Sequence, residues 1–111
     1  MPIKAVIFDL GGVLVRTEFP QVRHQLELQL GFQPGTVDRT IWGSKEWELA
    51  QIGALSYEEY WERVGATLGL STPQQIADFR RQYFSGDRVD QELVSLIEEL
   101  RPRYKIGLLS N

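Results

Sequence analysis

The sequence predicts an α/β fold in which two buried parallel strands flank a long helical insertion. Three observations carry that reading. A continuous apolar run, Ala5-Val6-Ile7-Phe8, stands between Lys4 and Asp9 and precedes Gly11-Gly12. A second short apolar run, Lys105 to Leu109, lies near the other end. Between them the apolar residues recur at helical rather than alternating spacing. Short apolar runs without alternation suit strands covered on both faces of a parallel sheet.

The elements follow in order. Ala5–Phe8 forms the first strand, and the two glycines permit a tight turn after it. From about Glu18 the pattern turns helical, with Val22, Leu26 and Leu30 spaced by four and Gly31 as a stop. A shorter helix spans about Thr36 to Trp42. Another carries Trp47, Leu49, Ala50 and Ile52 and ends at Gly53. Ser56 with Glu59 three residues on fits a capping box, and Tyr57, Tyr60, Trp61, Val64 and Leu68 form the apolar face behind it. Thr72-Pro73-Gln74-Gln75 opens the next helix with proline at its first position. Ile76, Phe79, Tyr83 and Phe84 are its apolar face. Ser85-Gly86-Asp87 reads as a turn. Asp90 caps a helix with Leu93, Val94, Leu96, Ile97 and Leu100 on one side, and Pro102 ends it.

The division that results is a sheet portion from 1–14 and 87–111, with a helical insertion over 15–86. A right-handed crossover makes the two strands parallel neighbours. Ligands of such parallel sheets bind at the carboxyl ends of the strands. Asp9 and Ser110 each sit just past such an end, so two polar residues distant in sequence are expected at one site.

Composition narrows the functional classes. The chain has 111 residues, 42% hydrophobic and 24% charged, which excludes global disorder. Its net charge of −3 offers no field for nucleic acid or an anionic membrane. With no cysteine, thiolate catalysis, disulfides and cysteine-based zinc sites are excluded. The N-terminal residues lack a signal-peptide layout, and no apolar run approaches the ~20 residues of a membrane span. A cytoplasmic protein is the expectation.

Phe8-Asp9-Leu10-Gly11-Gly12-Val13-Leu14 resembles the first motif of the haloacid dehalogenase superfamily. Leu108-Leu109-Ser110-Asn111 resembles its second, which closes a strand with Ser or Thr. The helix and strand over 86–111 are similar to those that follow the cap in these hydrolases, so the resemblance runs along the whole chain in order. It implies a Rossmann-like core with an inserted α-helical cap, cut off after the second strand. It implies Asp9 as nucleophile and magnesium ligand, the Gly11 carbonyl as a second Mg2+ ligand, and Ser110 as a catalytic hydrogen-bonding group. Substrate contacts fall on Ser110, Asn111 and Gly12. The implied function is hydrolysis of a small phosphate ester through an aspartyl-phosphate intermediate.

The sequence departs from that pattern twice. Most phosphatases of the superfamily carry a second aspartate two residues after the nucleophile, where this chain has Gly11. Such acid–base help is worth roughly 100- to 10,000-fold in rate. The charge-balancing lysine or arginine and the later acidic metal ligands have no counterpart in these 111 residues. The chain alone is therefore expected to bind magnesium poorly and turn over little, and to belong to a longer product or to be covered by another chain. Two alternatives are a 2-haloacid dehalogenase, which needs no metal, and a non-catalytic binding module with the same fold.

Plainer readings stand beside these. Asp9 could be a turn residue after a strand. Lone His24 on a helix is expected at the surface. Trp42, Trp47 and Trp61 suit a core better than a substrate pocket. Arg16 and Thr17 follow the first motif and could face the site. Glu58, Glu59 and Glu62 form a solvated face.

Overall fold

A computed structural model describes residues 2–110. Asn111, assigned above to substrate contact, lies outside the described residues. The fold is mixed α/β and divides into two compact units, Met1–Phe19 with Asp87–Asn111, and Pro20–Gly86.

In the first unit, β1 (Ala5–Asp9) and β4 (Lys105–Leu109) pair in parallel, from Ala5 against Lys105 to Asp9 against Leu109. The apolar runs make these strands, as expected. They are not covered on both faces among the described residues: Ile7 is 70% exposed and Leu108 62%. The reason is topological. A sheet of two strands gives each one neighbour, and the helix α6 (Gln91–Leu100) between them in sequence has no buried residue.

A second ribbon was not legible in the sequence. β2 (Val15–Thr17) pairs antiparallel with β3 (Asp87–Val89), Arg16 lying opposite Arg88. The Asp90 amide extends the ladder to the Leu14 carbonyl at 2.8 Å. This pairing is why residues 15–19 group with the sheet unit, and why Asp87 opens a strand instead of completing a turn. Asp90 splits its carboxylate. Oδ1 accepts from the Leu93 amide at 3.0 Å and caps α6, while Oδ2 accepts from Arg16.

The second unit holds α1 (Gln21–Gln29), α2 (Thr36–Trp42), α3 (Lys45–Gln51), α4 (Tyr57–Thr67) and α5 (Pro73–Tyr83). The first begins after Pro20, three residues later than the periodicity suggests. Its end is set by Gly31 at φ 79°, where the Phe32 amide reaches the Glu27 carbonyl and the Gly31 amide reaches that of Leu28. That left-handed closure costs a residue without Cβ little. Gly53 and Gly69 close α3 and α4 by the same bonds. Ser56 Oγ accepts from the Glu59 amide at 3.1 Å. The complete capping box forms at Thr72, whose Oγ1 accepts from the Gln75 amide while Gln75 Oε1 accepts from the Thr72 amide.

The core of this unit joins Leu26, Val37, Ile41, Tyr60, Trp61, Val64, Leu68, Phe79 and Tyr83. Trp61 is 3% exposed, Trp47 packs on the cluster, and Trp42 stands edge-on to Trp47 while remaining 40% exposed. Two of the three tryptophans thus serve packing outright. His24, Glu58, Glu59 and Glu62 are exposed.

The core also holds polar groups. Tyr83 is fully buried, donates to Asp38 at 2.6 Å, accepts from Trp42 Nε1 at 2.8 Å and lies under the Arg23 guanidinium at 4.0 Å. Tyr60 donates to the Ile41 carbonyl. Burial pushes both phenols well above the ordinary tyrosine range, helped at Tyr83 by the bond to Asp38 and at Tyr60 by the charges of Tyr57 and Glu46. The unfolded phenols ionise at about 10. The stability they contribute is therefore complete below that pH and lost above it, because the unfolded chain gives up the protons first. We expect Tyr60 and Tyr83 to ionise only together with unfolding of the helical unit. Phenolate absorbance and circular dichroism followed through one alkaline titration check this; phenolate signal from all four tyrosines ahead of helix loss would refute it.

Candidate active site

The candidate site is built entirely within the first unit, from the ends of two strands and one turn. The β1–β4 register places Asp9 opposite Leu109, and the Leu10 amide donates to the Leu109 carbonyl at 3.0 Å. Asp9 and Ser110 therefore leave the same edge of the sheet, one residue apart in register. Both are exposed. Parallel pairing alone brings these two together, since about a hundred residues separate them in the chain.

The turn after β1 is held by one acceptor. The Leu10 carbonyl receives the amides of Leu14 at 3.0 Å and Val15 at 2.9 Å, with a longer approach from Val13 at 3.4 Å. Gly12 takes φ 76°, a left-handed conformation that favours glycine. Its amide donates to the Val15 carbonyl at 2.9 Å. Gly12 is thus committed to shaping the turn. Among the described residues, the Gly11 amide and carbonyl have no protein hydrogen-bond partner. Sequence reading singled out the Gly11 carbonyl and missed its amide, which only the bonding of the turn reveals as an available donor. A Cβ at Gly11 would meet nothing within 4 Å, so the space at this position of the turn is open.

Arg16 does not stand free beside this turn; its guanidinium is bound to Asp90. Thr17 pairs with Asp87 in the ribbon. Two residues weighed for the site are therefore engaged in holding β2 to β3.

A hard cation takes oxygen donors, and magnesium keeps several waters around one or two carboxylates. The Asp9 carboxylate and the unbonded Gly11 carbonyl are donors of that kind. Among the described residues no group of three or more His, Asp or Glu is close enough to hold a metal. Asp9 and Gly11 would supply two oxygen donors to such an ion, fewer than a full ligand set. Nor does any helix have the length and apolarity to cross a membrane among the described residues.

No protein-family model matches the chain. It is similar to a sesquiterpene phosphatase, astK, of Aspergillus oryzae, with 35% identity over 99 residues. That stretch covers 88% of this chain and 45% of the relative, so the chain spans less than half of that protein's length.

Proposed function

We propose that this chain carries the nucleophile-bearing part of a haloacid-dehalogenase-type phosphatase, with a Rossmann-like core portion and the helical unit as its cap. The observation that carries the reading is the parallel register that sets Asp9 and Ser110 at one sheet edge beside the open Gly11 turn. The phosphatase relative supports the reaction class.

In the proposed reaction an Asp9 carboxylate oxygen attacks the phosphorus of a phosphate monoester. A P–O bond forms to Asp9, the P–O bond to the alcohol breaks, and the alkoxide takes a proton from water. Water then attacks the aspartyl-phosphate, releasing inorganic phosphate and restoring the carboxylate. Ser110 Oγ and the Gly11 amide donate to the phosphoryl oxygens and hold them in line. Bound magnesium would neutralise phosphate charge at Asp9 and the Gly11 carbonyl. With glycine at position 11, no side-chain acid protonates the leaving group there. A substrate whose alcohol leaves readily is the better match.

The substrate we favour is a small phosphate ester in the cytoplasm; the relative's name adds a sesquiterpenyl phosphate to the candidates. The test is phosphate release from p-nitrophenyl phosphate and from farnesyl phosphate, and halide release from 2-haloacids, each with and without a chelator. The expected result is phosphate release that the chelator stops. Halide release that survives chelation would replace the phosphatase reading with a dehalogenase, and no turnover of any substrate with magnesium bound would leave a binding module.

A further inference from the structure

We propose that the helical unit has an anion site of its own, a recess between α2, the start of α3 and α4 that takes a single phosphate-type dianion. The inference is independent of Asp9. The recess holds about 230 Å3 and is lined by Thr36, Arg39, Thr40, Ser44, Glu46 and Arg63, together with Val64 and Thr67. Ligands of drug size fill ~300–1,000 Å3. This smaller volume, lined mainly by residues with polar or charged side chains, suits an inorganic anion or a phosphate group carried on a larger molecule.

Two arginines line it without a carboxylate partner. Among the described residues neither Arg39 nor Arg63 forms an ion pair. The Arg39 guanidinium lies against Gly35, within 2.9 Å of where a Cβ would stand, and donates to Thr36 Oγ1 at 3.3 Å. That leaves most of its five N–H donors uncommitted. Four hydroxyls line the recess, and two of them are already spent: Thr40 donates to the Thr36 carbonyl and Thr67 to that of Arg63. The other two retain a proton to give. Ser44 Oγ accepts from the Trp47 amide and Thr36 Oγ1 accepts from Arg39, so each hydroxyl hydrogen is available. Two guanidinium forks and two hydroxyl donors in one hollow match the oxygens of a phosphate. Glu46 opposes them with one negative charge against two positive. In a chain of net charge −3, this concentration of unpaired cations is local.

The test is residue-specific amide NMR on the full chain, titrated with sodium phosphate and with phenylphosphonate at ionic strength matched by sodium chloride. Phenylphosphonate has a C–P bond and is not hydrolysed. We expect saturable shifts in 36–46 and 63–67 that differ from the chloride control. Arg39→Gln and Arg63→Gln should each weaken binding about tenfold, and Glu46→Gln should strengthen it. Binding of phosphate but not phenylphosphonate identifies the free ion as the ligand; binding of both identifies the phosphate group. Shifts confined to 9–12 and 110, or shifts in the recess that chloride reproduces, would overturn the site. So would arginine variants that fold, by circular dichroism, and bind unchanged.

Discussion

Asp9→Asn is expected to reduce phosphate release from any active polypeptide containing this chain by about 10,000-fold or more. The amide keeps the size and the hydrogen-bonding reach of the carboxylate. It is not a nucleophile toward phosphorus, and it loses the charge that would attract magnesium. Because Asp9 is exposed and its backbone bonds do not involve the side chain, the fold should be unaffected. Steady-state rates for the parent and the variant, with matched circular dichroism and melting temperature, decide the matter. A variant keeping a tenth of parental activity removes Asp9 from the chemistry. Ser110→Ala should act in the same direction more weakly, since it removes one hydrogen bond to the transferring group and leaves the nucleophile in place.

The largest stability effect expected from a single polar side chain is at Glu27. It is 6% exposed, yet it accepts from two backbone amides, Gly35 through Oε1 at 2.9 Å and Val37 through Oε2 at 2.8 Å. The carboxylate at the end of α1 thus serves the start of α2. Gly35, the residue before that helix, has no side chain with which to do so. Glu27→Ala strands both amides in a buried setting and leaves a void. The expected loss is about 2–4 kcal/mol, or roughly 10–20 °C in melting temperature for a domain of this size. Glu27→Gln keeps the volume but presents one oxygen in place of two, and its amide group meets an N–H donor head-on. About half the loss is expected from it. Thermal melts of the three proteins give the comparison. A Glu27→Ala protein as stable as the parent would mean that water or a shifted loop satisfies both amides.

What the sequence made legible was whatever is local. Ser56, Thr72 and Asp90 each precede a helix and each accepts from the amide three residues on, because capping depends on residues that are neighbours in the chain. The two apolar runs became strands for the same reason. The parallel pairing of β1 with β4 followed from the handedness rule, and with it the meeting of Asp9 and Ser110. Three features escaped. The β2–β3 ribbon is three residues a side, and Arg16, Thr17, Asp87 and Arg88 show no alternation to mark it. Glu27 resembles any helical glutamate in sequence, since its partners lie eight and ten residues ahead, at the start of the next helix. The exposure of Ile7 and Leu108 is likewise non-local: an apolar run states what a strand can bury and leaves open what lies over it.

The ribbon has a consequence for how the chain tolerates change. Thr17 and Asp87 are paired residues, so the polypeptide departs for the helical unit and returns from it at adjoining points. A segment whose two ends are already clasped imposes almost the same closure entropy at any length, because that cost grows only logarithmically. Helices can be added to, removed from or exchanged within that excursion while the strand ends bearing Asp9 and Ser110 keep their register. Such an arrangement permits one reactive centre to acquire many specificities by transplantation of the intervening piece.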